Sequence, residues 1–151
     1  MKQGGNHVWL VSCVKKKLGR AAPARDLYDS DWFHKARAYV ETQNGRWFIL
    51  SAKHHLVRPA DWLRPYNRTL LRMRAPQRLA WGMHVVAQLR RHCKRGTHVT
   101  ILAGVRYREH LAPGLHSMGC IVEAPLARLA SGKQKQWFKR RLEKHAASAA
   151  R

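Results

Sequence analysis

Three consecutive lysines follow a short apolar run near the start of the chain. The run ends at Ser12, Cys13 and Val14, and three lysines, Lys15, Lys16 and Lys17, come directly after it. Cations at the end of a strand are typical of a loop that binds phosphate; a solvated run of surface charge is the alternative. Neighbouring lysines favour the thiolate form of a cysteine, so Cys13 is predicted to be either a nucleophile or a structural residue.

Aromatic side chains stand beside cations in the segments that follow the apolar runs. Rings among lysines and arginines stack on nucleobases while the cations hold the backbone. We therefore expect Tyr66 and Tyr107 to grip a base, with half-buried tyrosines whose hydroxyls are satisfied as the alternative. The full group expected to contact a substrate is Ser12, Cys13, Tyr28, Ser51, Tyr66 and Tyr107.

The composition favours an acidic partner. The chain has 151 residues, 45% of them hydrophobic, and 30 Lys+Arg against 8 Asp+Glu give a formal net charge of +22. This length predicts one domain, residues 1–151, and its excess charge repels itself unless a polyanion neutralises it. No apolar run approaches the ~18 residues of a membrane span, and no secretory signal is recognisable, so we expect a cytoplasmic protein.

Cysteine, histidine and glycine patterns predict neither a metal nor a nucleotide cofactor. Cys13, Cys93 and Cys120 are widely spaced without a Cys-x-x-Cys pair, which disfavours a zinc site and a disulfide framework. The histidines are scattered, and the adjacent His54 and His55 have poor ligand spacing. Neither a Gly-x-Gly-x-x-Gly nor a Walker-type sequence is present, so we expect no metal and no cofactor.

Apolar runs alternate with helical patterns along the chain. We predict strands over residues 8–14, 46–52, 99–104 and 120–126. We predict one helix that begins after Ser30 and a second that runs from Pro76 to about residue 92. Two further helices are predicted over 107–118, with a break near Pro113, and over 134–145. The helix from Pro76 is expected to have Leu79, Met83, Val86 and Leu89 on one face.

Strands that are apolar on both faces and alternate with helices predict an α/β fold. We expect a three-layer α/β/α domain around a mostly parallel four-stranded sheet. Such folds bind ligands outside the carboxyl ends of their strands. The site should therefore be built from Ser12–Lys17, Ser51–Tyr66, Gly104–Tyr107 and the segment after Leu126.

The segment Leu50–Tyr66 resembles the signature of the YaaA-like superfamily, in which a Leu-Ser-Ala stretch leads to Pro-Tyr. The resemblance extends in the same order through Ser12–Lys17, Pro23–Tyr28 and Ala103–Tyr107, and is closest to the short bacterial and phage cousins of peroxide-stress YaaA proteins. One departure is His55, where that superfamily usually has glycine. If the glycine serves a left-handed turn, His55 must adopt a positive φ; otherwise it adds a contact to the substrate.

The resemblance implies DNA binding and a distant similarity to nucleobase-handling enzymes, including uracil-DNA-glycosylase-like folds. Cleaving a base from its sugar builds positive charge on the sugar and negative charge on the base. We expect Asp26, or Asp61, to act at the sugar or on water, and His54 to support the leaving base. The alternative for Asp26 is an ion pair with a nearby arginine, and that for Asp61 is a helix or turn cap before Trp62. The alternative for His54 is a solvated loop histidine.

Further basic side chains are expected to hold phosphates at the edges of the site. Besides the three lysines near Cys13, they are Lys53, Arg64, Arg68, Arg106, Lys133, Lys135, Lys139 and Arg140. Two such clusters beside one edge of the sheet would form a cationic groove.

The sequence thus predicts a monomeric DNA-binding enzyme whose partner is double-stranded DNA and not a membrane. The expected reaction is that of a DNA glycosylase, which removes a modified base, for example a hypermodified phage base, and leaves an abasic site. A role in DNA repair or antiviral defence would follow. Two alternatives stay open: a non-catalytic protein that binds DNA and protects it under stress, and an RNA base-modifying enzyme.

Overall fold

A computed structural model describes residues 6–150, in which strands and helices alternate along the chain. The strands are β1 (His7–Ser12), β2 (Ala22–Pro23), β3 (Arg46–Ser51), β4 (His55–Val57), β5 (Trp62–Leu63), β6 (His98–Leu102) and β7 (Ile121–Glu123). The helices are α1 (Ala24–Leu27), α2 (Asp31–Glu41), α3 (Ala75–Leu89), α4 (Val105–Arg108), α5 (Ala112–Ser117) and α6 (Ser131–Ala149), with a 3-10 turn at Leu70–Arg72.

Five strands form the main sheet in the order β4-β3-β1-β6-β7. The pairs β1–β3, β1–β6 and β6–β7 are parallel, which confirms a mostly parallel α/β sheet flanked by helices. The sheet has one strand more than the predicted four. After β3 the chain reverses within Ala52–His54 and pairs β4 antiparallel to β3, so Ser51 lies opposite His55.

The helices cover both faces of the sheet. The chain passes from β1 to β3 on one side and then back across β1 to β6, so right-handed crossovers put α2 and α3 on opposite faces. α6 packs along α2, where the Trp32 ring meets Phe138 edge-on and its Nε1 donates to Oε1 of Gln134 at 2.7 Å. α5 packs against α3 and β7.

The α2 helix begins as its cap predicts, whereas α3 buries Val86 and Leu89 as predicted but leaves Leu79 and Met83 exposed. The Ser30 hydroxyl accepts from the Phe33 N–H at 3.1 Å. In α3, Leu79 and Met83 are 55% and 67% exposed, and the buried positions are Trp81, Gly82, Val85, Val86 and Leu89. Gly82 explains the rotation, because a Cβ there would lie 2.6 Å from the backbone oxygen of His110.

The last third of the chain differs from the predicted boundaries. The predicted helix over 107–118 is two short helices, α4 and α5, with Pro113 in the first turn of the second. The predicted strand over 120–126 is only β7, three residues long. α6 is longer than predicted at both ends. Within the described part of the chain, no helix is both long and apolar enough to cross a membrane.

Candidate functional site

The strand order creates a crevice between the ends of β1 and β6. From β1 the chain passes to β3 on one side, and from β6 it passes to β7 on the other, so the connections leave β1 and β6 in opposite directions; ligands bind in α/β sheets at such a point. A cavity of about 360 Å³, here called cavity A, lies there. Cys13 reaches it from the end of β1 and Tyr107 from α4, which follows β6.

Cavity A is cationic. Its lining residues are Cys13, Val14, Lys15, Lys17, Asn67, Arg68, Thr69, Leu71, Arg72 and Tyr107. This set contains four cations and no carboxylate. Among residues 6–150, none of the four cations forms an ion pair. Uncompensated positive charge in a concave site attracts an anion.

Cys13 and Tyr107 meet at the back of cavity A. The Cys13 Sγ and the Tyr107 hydroxyl oxygen are 3.4 Å apart, and both side chains are buried. Burial, together with the neighbouring Cys13, raises the pKa of Tyr107 well above its usual range. The Tyr107 hydroxyl therefore stays protonated at neutral pH and is able to donate a hydrogen bond.

A cluster of hydroxyls lies behind cavity A, between the ends of β1 and β3. The Tyr66 hydroxyl is 2.6 Å from that of Tyr28 and 2.7 Å from Oγ of Ser51. The Ser51 Oγ also accepts from the His54 N–H at 2.9 Å, and the Ser51 carbonyl accepts from Nε1 of Trp81 at 2.9 Å. This cluster ties the start of the Leu50–Tyr66 motif to its end.

The hydroxyl cluster has its own protein partners. Burial raises the pKa of both Tyr28 and Tyr66 far above the usual range, so both phenols are neutral. Tyr28 is fully buried, so none of its surface is open to a ligand, contrary to its expected place in a substrate site. Tyr66 lines neither cavity A nor the second cavity described below. Of the two tyrosines predicted to grip a base, Tyr107 lines cavity A, whereas Tyr66 lines neither of these two cavities.

Lys17 connects the hydroxyl cluster with cavity A. Its Nζ lies 4.5 Å from the centre of the Tyr66 ring and 5.7 Å from that of Tyr28. The same Nζ donates to the carbonyls of Val14 and Lys15 at 3.0 Å, which holds the loop after β1 in a tight turn. Burial lowers the pKa of Lys17, while Cys13 opposes this change. The two hydrogen bonds and the ring contacts fix the Lys17 side chain in the wall of cavity A.

A second cavity, cavity B, lies beside the first and measures about 580 Å³. Its lining residues are Ala52, His55, Asn67, Arg68, Thr69, Arg72, Met73, Gln77, Ala80, Trp81 and His84. The segment from Asn67 to Arg72 lines both cavities. His55 has a φ of 65°, which agrees with the left-handed turn, the first of the two alternatives for this position, and its side chain lines cavity B.

Neither predicted carboxylate lines cavity A or B. Asp26 is held by Arg37, whose Nη1 lies 2.6 Å from Oδ1, with Arg25 at 4.0 Å. Asp61 accepts from the Arg58 N–H at 3.0 Å and pairs with the Arg58 guanidinium at 3.3 Å. These contacts are the arginine pair and the turn cap that were the alternatives to catalysis. A catalytic role for either aspartate stays a prediction.

The predicted residues of the turn after β3 lie beside the cavities. The His54 ring meets Tyr66 edge-on with centroids 5.3 Å apart, and burial followed by Lys53 lowers its pKa, so the imidazole is neutral at pH 7. His54 is not among the residues that line either cavity, and Lys53 is exposed. Ser12 is buried and donates from Oγ to the Cys13 carbonyl at 2.9 Å.

Apart from the exposed Lys53, the predicted phosphate-binding cations divide into three groups. Lys15, Lys17 and Arg68 line cavity A. Arg106 pairs with Glu109 at 3.3 Å, and Lys135 pairs with Asp31 at 3.5 Å at the start of α2. The remaining members are exposed and line neither cavity: Lys16, Arg64, Lys133, Lys139 and Arg140.

Sequence reasoning did not place several of the lining residues in the site, among them Asn67, Thr69, Leu71, Gln77 and His84. The only signal for the first three is the polar run directly after Pro65-Tyr66, where the chain has no helical or strand period. Within residues 6–150, no group of three or more His, Cys, Asp or Glu side chains is placed to hold a metal ion.

Comparison with known proteins gives one family. The model of a family of unknown function (DUF6884) matches residues 8–140. No curated protein and no solved structure matches the chain. The matched range contains every residue that lines cavities A and B.

Proposed function

We propose that this protein, which belongs to the DUF6884 family of unknown function, binds nucleic acid and holds one nucleotide, rotated out of its strand, in cavity A. The observation that carries the proposal is a cavity of about 360 Å³ surrounded by Lys15, Lys17, Arg68 and Arg72, with no carboxylate in its lining. Its size lies in the range of sites for small organic ligands. The ligand that these groups favour is anionic, as a nucleotide is.

The charge of the whole chain supports a polymeric partner. A formal net charge of +22 exceeds by far what one small anion would require. Phosphates along a DNA backbone neutralise many lysines and arginines at once and release their counterions, which stabilises the complex. Double-stranded DNA in the cytoplasm and a monomeric protein belong to the proposal, as do the relation to the YaaA-like superfamily and the distant likeness to uracil-DNA-glycosylase folds.

Leu71 supports the rotation of a nucleotide out of its strand. It lines cavity A, is 71% exposed and follows the fully buried Leu70 in the 3-10 turn. Arg68 and Arg72 flank it in the sequence and are exposed. Apolar side chains inserted between base pairs unstack them, while neighbouring arginines hold the phosphates.

The reaction that we propose for this nucleotide is removal of a modified base. Water supplies the hydroxyl that replaces the base on the sugar carbon, and the base leaves with a proton. Negative charge develops on the departing base, which the cations of cavity A and the neutral Tyr107 hydroxyl stabilise. Asp26 or Asp61 at the sugar, and His54 at the base, remain part of this proposal.

A non-catalytic DNA-binding protein is the second candidate function. It is favoured by one specific observation: Asp26 and Asp61 are both paired with arginines, and no carboxylate lines cavity A. Such a protein would hold the rotated nucleotide without cleaving it.

Binding is tested by fluorescence anisotropy with a labelled DNA duplex. We expect Arg68→Gln and Arg72→Gln each to weaken binding about tenfold, because each removes a cation from cavity A. Arg90→Gln is the matched control, since Arg90 follows the last residue of α3 and lines neither cavity. Equal losses in all three variants would refute cavity A as the binding site. Displacement of the duplex by transfer RNA at lower concentration would favour the RNA-modifying alternative.

Base removal is tested with phage DNAs that carry different modified bases, followed by alkali, which breaks the strand at abasic sites. Alkali-dependent breaks that disappear in Asp26→Asn or His54→Ala, with binding retained, support the glycosylase. Breaks that persist in both variants would assign the chemistry to other groups. Intact DNA of every type, bound with the same affinity, would leave the non-catalytic function.

A further inference from the structure

Cavity B has no role in the binding of a single nucleotide. It lies between α3 and the segment from Asn67 to Met73, and the turn between β3 and β4 closes it with Ala52 and His55. At about 580 Å³ it is larger than cavity A. Like cavity A, it contains no carboxylate in its lining.

The wall between the two cavities consists of groups that bind an anion. Asn67, Arg68, Thr69 and Arg72 line both cavities, so two guanidinium side chains stand between them. Guanidinium groups bind phosphate through paired hydrogen bonds, and amide and hydroxyl groups add further donors. A phosphate held there would connect a ligand in cavity A to a ligand in cavity B. A phosphodiester between two successive nucleosides has this arrangement.

Cavity B also has two stacked imidazoles. The rings of His55 and His84 have centroids 4.0 Å apart and planes inclined by 20°. The pKa of His55 is lowered mainly by burial, and further by the nearby side chains of His84, His54 and Arg68. The His55 ring is therefore neutral at pH 7. Flat aromatic rings are able to stack on a nucleobase regardless of its identity.

The backbone of His55 is held in an unfavourable conformation at cavity B. Its φ of 65° is one that glycine adopts freely and that costs energy for a residue with a Cβ. Such conformations persist at sites where the side chain has a function. Here the imidazole reaches cavity B, where a glycine would contribute no ring.

We propose that cavity B binds the nucleotide next to the one in cavity A, with its base against the His55–His84 pair and the connecting phosphate between Arg68 and Arg72. This inference rests on the proposed function and extends it to a site for two consecutive nucleotides of one strand. The substrate class is thus a strand of nucleic acid, and a free mononucleotide fills only half of the site.

The probes that test this are thymidine 3′,5′-bisphosphate and the dinucleotide pTpTp, which adds one nucleoside and one phosphate. We expect pTpTp to bind about tenfold more tightly by isothermal titration, since stacking of one base has a large effect on affinity. His55→Gly and His84→Ala should each remove most of this gain and leave the affinity for the bisphosphate unchanged. Arg72→Gln should weaken the binding of both probes.

Met83→Ala is the matched control, because Met83 adjoins His84 on α3, is exposed and does not line cavity B. It should bind both probes as the parent protein does. His55→Gly suits the left-handed backbone, so loss of the fold does not confuse the result. Equal affinity for the two probes, or a gain that survives both histidine variants, would overturn the second subsite alone. If neither the bisphosphate nor pTpTp binds, the proposed function is overturned as well.

Discussion

Replacing Tyr66 with phenylalanine tests whether the hydroxyl cluster holds the motif segment in place. The substitution removes one oxygen that is 2.6 Å from the Tyr28 hydroxyl and 2.7 Å from Oγ of Ser51. Ser51 keeps its bond from the His54 N–H, but the fully buried Tyr28 loses its 2.6 Å hydrogen bond to Tyr66. Nothing in the new side chain replaces these bonds.

The expected loss of stability follows from these contacts. Each lost hydrogen bond contributes about 1 kcal/mol, and a buried hydroxyl left without a partner costs about 1–3 kcal/mol. The cost of leaving the buried Tyr28 hydroxyl without this partner partly overlaps with the cost of the lost hydrogen bonds. We therefore expect Tyr66→Phe to lower the free energy of unfolding by about 2–3 kcal/mol. For a chain of this length that corresponds to a fall in Tm of roughly 5–10 °C.

The assay is urea unfolding followed by tryptophan fluorescence, with Tyr39→Phe as the matched control. Tyr39 is also a buried ring, but its hydroxyl makes no hydrogen bond within residues 6–150, so its loss should change stability by less than about 0.5 kcal/mol. The double variant Tyr28→Phe/Tyr66→Phe should lose clearly less than the sum of the two single variants, because both lack the same bond. Equal stabilities of Tyr66→Phe and Tyr39→Phe would refute the reasoning.

Three further measurements follow from the same structure. Binding to a DNA duplex should weaken with salt with a log–log slope of about −5, as expected if about six phosphates are neutralised; a slope shallower than about −2 contradicts a cationic groove. His55→Gly should raise the free energy of unfolding by about 0.5–1 kcal/mol in urea, since the left-handed conformation costs about 1–2 kcal/mol and the flexibility of glycine offsets part of that; an unchanged or lower stability argues against strain at this residue. Stability should fall as the pH falls below about 6.5, because burial lowers the pKa of several histidines in the folded protein. The unfolded chain then binds more protons than the folded one. A free energy of unfolding that is constant between about pH 7 and pH 5 contradicts these shifts. The histidines concerned are His7, His54, His55 and His92.

The parallel core of the sheet was predictable from local sequence. β1, β3 and β6 are short apolar runs buried on both faces, a pattern that few other structures produce. The residues directly after β1 and β6, among them Lys15 and Tyr107, could therefore be placed at one edge of the sheet before any coordinates were known. The structure confirms that both border the same cavity.

The remainder depended on long-range contacts. Residues 53–73 have no helical or strand period, because the chain there is held by side-chain hydrogen bonds, such as those of Tyr66 and Asp61, and by only two short strands. The buried face of α3 was predicted wrongly at Leu79 and Met83, because close contact between Gly82 and His110 decides its rotation. His84 reaches cavity B only because of that rotation.

The turn that separates the two cavities has a consequence for how they respond to ligands. Leu70, fully buried, anchors this turn, and Arg68 and Arg72 project from its two sides into both spaces. Any movement of this turn that narrows one cavity also moves Arg68 and Arg72 in the wall of the other. Under the proposed two-nucleotide site, a ligand in either cavity would immobilise the guanidinium groups that the other cavity uses, so the two binding events would be thermodynamically linked.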